Sequence, residues 1–236
     1  MSGVLIEGLR PIADELSGPS AGWPGVHVAI VTDNQDPDGQ GRVKVRLPWS
    51  PDTGSARYET WARVATTMAG GGRGTWFVPD PEDEVLVAFE GGDPRRPVVL
   101  GAMWNGTDQP PEQMTGGNPK RTILTRAGVR ITLDDSAGAV SLLLETPGGQ
   151  RLRLDDNPPA VTVEDAGGNS VKLEAAGITV VAAATVKIQA TSAEVDAAMV
   201  TVDAAMSKFS GVVQCDTLIT NTVVSAAYTP GAGNIW

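Results

Sequence analysis

The chain has 236 residues, of which 41% are apolar and only 5% aromatic, with 28 glycines and 17 prolines, a length that accommodates one large or two modest domains. A net charge of −10 repels phosphate backbones and anionic membranes, which argues against nucleic acid as a partner. The single cysteine, Cys215, excludes an intrachain disulfide and a multi-cysteine zinc site, and the single histidine, His27, leaves little scope for imidazole chemistry.

Residues 1–22 form an N-terminal segment in which Val4, Leu5, Leu9, Ile12 and Leu16 fall near one helical face, interrupted by Pro11. No apolar run reaches the ~18 residues that a membrane helix needs. No basic region precedes the short apolar start, so no signal peptide is expected and assembly is expected in the cytoplasm. From Val26 the pattern turns to period two. Val26, Val28 and Ile30 alternate with His27, Ala29 and Val31, and Val43, Val45 and Leu47 alternate with Arg42, Lys44 and Arg46. Further strands are expected at 60–65, 75–78, 84–90 and 97–104, separated by turn formers that are densest in DNQDPDG at 33–39. Five or six short strands within 23–106 predict a small closed barrel. Eight of the eleven aromatic residues lie in the first 104 positions, where they are expected to fill that barrel.

Residues 107–121 lack an apolar period and are rich in proline and glycine, the composition of a linker. Beyond them, GVRITLDD at 128–135 recurs as GQRLRLDD at 149–156 and more loosely as GNSVKLEA at 168–175. A second strand type lies between the copies at 139–145, 160–164 and 177–181. A period of ~20 residues holding two strands and two turns builds an extended object rather than a globule. After position 182 the repeat passes into alanine-rich alternation, which lets facing backbones approach and predicts narrowing toward the C terminus. Each repeat strand has one apolar and one polar row. Three chains about one axis bring three apolar rows together and close the sheet edges. The predicted fold is therefore all-β, with residues 122–228 forming an intertwined trimeric β-helix, or β-prism. Its inward residues are expected to be Val129, Ile131, Leu133, Leu152, Leu154, Val161, Val163, Val171, Leu173, Val186 and Ile188.

The combination DPDGQGRVKVRLPW (36–49), WARV (61–64), AGGGRG (69–74) and DEVLVAFEGGDPRRPVVLG (83–101) resembles the OB-fold domain of the central spikes of contractile injection machines. These are the phage baseplate assembly protein V family and the related VgrG spikes of type VI secretion. The trailing repeats are similar to that family's trimeric β-helix. The resemblance implies an N-terminal OB-fold barrel followed by a non-enzymatic homotrimeric spike at the tip of a contractile tail tube. Such a spike sits on a trimeric hub protein and crosses the target membrane transiently when the sheath contracts. Hub-contact candidates are Leu5, Leu9, Arg42, Lys44 and Arg46. Residues 229–236 form a tip, where Tyr228, Ile235 and Trp236 are candidates for plugging the prism or seating a PAAR-repeat tip protein. The short linker leaves no room for the lysozyme domain some members carry, and no His-x-His pair is present for the axial iron site of others, so no catalytic residue, metal or cofactor is expected. The alternative is a trimeric β-helical fibre that binds or cleaves surface polysaccharide, but the repeats contain no aromatic residue to stack on sugars.

Several constellations mimic functional sites. Residues 34–39 resemble the start of a calcium loop, but Val45 stands where the bidentate glutamate belongs. The glycine run 70–74 lacks the Gly-Lys-Ser/Thr ending of a phosphate loop. Asp80, Glu82, Asp83 and Glu84 read as a solvated turn, and Asp134, Asp135, Asp155 and Asp156 recur in the repeat register and so read as corner residues. Cys215 reads as a small buried residue.

Overall fold

A computed structural model describes residues 22–50 and 58–227. The expected N-terminal helix with Leu5 and Leu9, and the tip residues Tyr228, Ile235 and Trp236, lie outside the described residues.

Seven strands build the first region: β1 (Val26–Asp33), β2 (Val43–Arg46), β3 (Glu59–Val64), β4 (Ala69–Gly70), β5 (Arg73–Gly74), β6 (Glu84–Phe89) and β7 (Pro97–Ala102). Five of them close a barrel in the order β1-β2-β3-β7-β6. Its neighbours are antiparallel except β3 with β7, which are parallel. This is an OB-like barrel. The remaining pair, β4 and β5, forms a tight separate ribbon from the glycine run, and the strand expected at 75–78 is not formed.

Period two decides what fills the barrel. Val43, Val45 and Leu47 are fully buried, as are Val85 and Val87 on β6 and Ala62 on β3. On β1 both parities are apolar, so alternation leaves the inward face open. The structure buries Ala29 and Val31 and leaves Val26 55% and Val28 40% exposed. The expectation that aromatics fill the barrel is overturned. Of the buried core only Phe89 is aromatic, because five short strands enclose a space that valine and alanine already fill at native density. Trp23 instead caps one end, edge-on to Trp49, Tyr58 and Phe89 at 4.9, 5.4 and 5.0 Å. His27 stacks on Trp49 at 4.6 Å. Trp76 and Phe77 are 77% and 70% exposed.

The second region is a seven-stranded antiparallel meander of β8 (Lys120–Leu124), β9 (Arg130–Asp134), β10 (Ser141–Glu145), β11 (Arg151–Asp156), β12 (Pro159–Glu164), β13 (Ser170–Glu174) and β14 (Gly177–Val181). β8 begins inside the stretch read as linker. The remainder of that stretch is tied to the sheet by Glu112, whose carboxylate accepts hydrogen bonds from Thr122 Oγ1 and Arg130, both at 2.7 Å.

The ~20-residue repeat is a repeat of one turn. At Thr125, Thr146 and Asp165 the carbonyl accepts the amide of Gly128, Gly149 and Gly168 in turn. The same residues donate their own amides to the carbonyls of Val129, Gln150 and Asn169. The three glycines have φ of +90°, +85° and +85°, a left-handed conformation that only glycine adopts without strain. A Cβ on Gly149 would lie 3.0 Å from Ala166 Cβ, and one on Gly128 3.1 Å from Pro147 Cγ, so each turn is stacked on the next.

Beyond Val181 none of the described residues lies in a strand, and the chain divides between Thr185 and Val186 into two compact units. Val186, Ile188 and Cys215 fall in the second unit and are exposed. The expected burial of Cys215 is not met within a single chain, because its segment has no strand partner there. Among the described residues no helix is long and apolar enough to cross a membrane.

Candidate functional site

Cross-strand register sorts the sheet into two unlike faces. One face carries two rows that run across the strands. The first is Ile123, Ile131, Leu144, Leu152, Val163, Val171 and Val180, with each residue directly opposite the next. The second is Leu133, Leu142, Leu154, Val161, Leu173 and Ile178, headed by Arg121 on β8. Many of these side chains are left exposed among the described residues. Leu133, Leu154 and Val163 are 46%, 39% and 49% exposed. A contiguous apolar face of this extent on a soluble surface marks an interaction site.

The opposite face is charged and self-satisfied. Arg130, Glu145, Arg151 and Glu164 form a row of alternating sign, in which Arg151 reaches Glu145 at 3.1 Å and Glu164 at 3.5 Å. Such pairs contribute under ~1 kcal/mol each, but a one-residue slip would place apolar side chains among these charges, so they hold register.

Of the residues expected to point inward, Ile131, Leu133, Leu152, Leu154, Val161, Val163, Val171 and Leu173 share the apolar face. Val129 closes the first turn, its amide bonded to Thr125 Oγ1 at 3.0 Å. Val186 and Ile188 are not part of the sheet. Sequence reasoning missed Ile123, Leu142, Leu144, Ile178 and Val180. The triplet Leu142-Leu143-Leu144 hides the parity of β10, but the matched turns on either side would have revealed it.

The site mimics resolve as structure. Asp36, whose side chain is 4% exposed, accepts amides from Asp38, Gln40 and Arg42 at 2.8–3.1 Å and the Arg42 guanidinium at 2.7 Å. Its oxygens are spent on locking the 33–42 turn, not on a cation, and among the described residues no carboxylate cluster has metal-binding geometry. Asp80 and Asp83 likewise serve a turn, the Asp80 amide donating to Asp83 Oδ2 at 2.9 Å. Asp134 accepts the Ser136 amide at 2.9 Å and Asp135 pairs with Arg121 at 2.9 Å, at the end of β9 and just beyond it. Asp155 and Asp156, expected at a corner, lie instead within β11, where Asp155 pairs with Arg153 at 2.8 Å along the strand. Of the basic stripe, Arg42 is held by Asp36, Lys44 pairs with Glu59 at 3.2 Å, and Arg46 is half-buried.

These carboxylates make the barrel acid-sensitive. The Arg42 guanidinium above all, aided by three backbone amides and opposed by desolvation, holds Asp36 well below the usual carboxylate range. Asp93 is lowered to about 2, chiefly by Arg95. A depressed folded-state pKa contributes stability above the unfolded value of ~4 that is lost as pH falls through the folded value. The thermal midpoint followed by tryptophan fluorescence is therefore expected to be flat from pH 7 to ~5 and to drop progressively below pH ~4. Asp36→Asn should lower the midpoint at pH 7 and flatten that acid limb.

An OB-like barrel joined to a sheet with one bare apolar face defines an all-β protein built to associate through its second region. Comparison with known proteins agrees. Residues 27–104 match the type VI secretion system/phage-baseplate injector OB domain, and residues 141–206 match the phage baseplate V C-terminal trimerisation domain. The chain is 31% identical over 113 residues to the type VI secretion system spike protein VgrG3 of Vibrio cholerae, covering 45% of this chain and 11% of that protein. It is 29% identical over 113 residues to the actin cross-linking toxin VgrG1 of the same species, covering 45% and 10%. With spike protein VgrG1b of Pseudomonas aeruginosa it shares 26% over 129 residues, covering 51% and 17%. The chain thus spans less than a fifth of the length of these relatives. The two matched domains together take up more than half of it, and it belongs to the baseplate V and VgrG-like spike proteins.

Proposed function

We propose that the chain is a structural, non-enzymatic subunit of a homotrimeric spike in a secretion system or phage baseplate. In this reading it forms the tip of a contractile tube and pierces the target envelope on sheath contraction. The observation that carries the reading is the pair of exposed apolar rows, one running across β8 to β14 and the other across β9 to β14. Rows that run across the strands are buried along their whole length when the copies pack about an axis parallel to the rows. Three copies then hide one face each and leave the charged face outward. The residues after Val181, which find no strand partner within one chain, are paired between chains in the same arrangement, giving the intertwined prism.

The mechanism is mechanical. A shaft whose backbone groups are all hydrogen-bonded, and whose interior is dry, transmits axial force without a soft element to buckle. A trimeric hub protein is the expected neighbour at the barrel end, with Leu5, Leu9 and the Arg42, Lys44 and Arg46 strand as contact candidates. A PAAR-repeat tip protein is the expected neighbour at Tyr228, Ile235 and Trp236. Equilibrium sedimentation of the full chain is expected to give three times 24.5 kDa. A single-chain mass at micromolar concentration would refute the proposal.

A further inference from the structure

The most exposed aromatics of the barrel region are not accounted for by its own fold. Trp76 and Phe77, in the segment after β5, are 77% and 70% exposed. They face a cleft of about 440 Å³ whose other wall is Ile123 and Leu124 of β8, with Asn34, Gln35, Val78, Asp80 and Thr125 completing it. Ile123 is the first member of the long apolar row on the sheet, and both Ile123 and Leu124 are more than 40% exposed. Through Ile123 the apolar face of the sheet runs on into the aromatic pair of the barrel, while Leu124, opposite Arg130, brings an apolar side chain to the cleft from the other face of the strand.

The polar groups of the cleft are already paired. Asn34 Nδ2 donates to Asp80 Oδ1 at 3.3 Å, and Asp80 meets Arg126 at 3.6 Å. No unpaired charge asks for an ionic ligand, and what is left uncovered is indole, phenyl and aliphatic surface.

We propose that this cleft is covered by a second copy of this chain, so that the assembly interface extends from the sheet into the barrel through Trp76 and Phe77. The inference rests on the trimeric reading and adds to it a place and an occupant. Copies related by rotation about an axis keep their height along it. A cleft at the barrel end of the rows therefore meets the barrel end of the neighbouring copy, namely its β8 and its own Trp76–Phe77 pair. Buried aromatics at the centre of such a contact carry a large share of association energy.

The test compares the full chain with Trp76→Phe, so that the difference isolates Trp76 among the six tryptophans, and repeats the comparison on a Leu152→Asp background that blocks assembly at the sheet. Acrylamide quenching of Trp76 is expected to be severalfold weaker in the assembled chain than in the blocked one. A Trp76→Ser/Phe77→Ser chain is expected to keep its circular dichroism spectrum and to dissociate at roughly tenfold or more higher concentration. If sedimentation still shows a trimer while Trp76 is quenched equally in both backgrounds, the inference falls and the trimeric reading stands. If the parent chain sediments as a single chain, the trimeric reading falls and takes the inference with it.

Discussion

Leu152→Asp is expected to convert the assembled protein into single chains at neutral pH, with the barrel intact. Leu152 lies on β11 in the first apolar row, directly opposite Leu144 on one side and Val163 on the other. In a lone chain an aspartate there is half in water and costs little. In the proposed trimer three of them stand at one level around the axis. Each loses the ~1.5–3 kcal/mol that burial of the leucine contributes, and each adds a desolvation penalty of several kcal/mol for an unpaired carboxylate. Mutual repulsion of like charges in a low-dielectric interior comes on top. Set against an association free energy on the order of 10 kcal/mol, the tripled penalty is decisive. Arg151→Ala, one residue away but on the charged face, removes two surface ion pairs and should shift association by no more than about 1 kcal/mol. Sedimentation velocity on the two variants decides the matter. A trimeric Leu152→Asp chain would show that the apolar face is not the interface.

Much of this arrangement was legible in the residues because two periodicities reinforce each other. Alternation marks the strands, and a glycine at 128, 149 and 168 marks turns that must be alike because only glycine sits comfortably at φ near +90°. From those turns the inward parity of β9, β11 and β13 follows directly. What was not legible has physical causes. On β1 both parities are apolar, since Val26 and Val28 face outward as hydrophobic residues, and alternation carries no information about direction. The aromatics mislead because hydrophobicity predicts burial without saying in what. Trp23, Trp49 and Tyr58 close an end of the barrel, whereas Trp76 and Phe77 stay exposed. The acidic turn at 33–42 has calcium-like composition, and only geometry shows that Arg42 and three amides already occupy Asp36. The alanine-rich stretch after Val181 alternates like a strand but lies in no strand among the described residues, because alternation in the sequence does not say what a strand pairs with.

Leu47→Ala is expected to produce the largest loss of barrel stability while leaving the number of associated chains unchanged. Leu47 is fully buried at the end of the β2 row, and its backbone organises the connection to β3. Its amide donates to Tyr58 O at 3.1 Å, and its carbonyl accepts both the amide and the hydroxyl of Ser50, at 3.1 and 3.0 Å. Ser50 Oγ in turn accepts the Tyr58 amide at 3.2 Å. That network fixes the backbone around the site, so the wall cannot collapse into the space a leucine vacates, and the cost should reach about 2–4 kcal/mol. For a barrel of this size the thermal midpoint should fall by roughly 10–20 °C. The protein carries its own probe, because five of its six tryptophans lie between Trp23 and Trp104 and none lies in the sheet. Fluorescence melts therefore follow the barrel. Sedimentation follows association, and Leu47, buried inside the barrel, belongs neither to the apolar rows nor to the Trp76–Phe77 cleft. A shift in the fluorescence midpoint at constant assembled mass is the expected pair of results. An unchanged midpoint would mean that the barrel repacks around the missing side chain, and a loss of assembled mass would mean that association depends on the barrel core as well as on the apolar face.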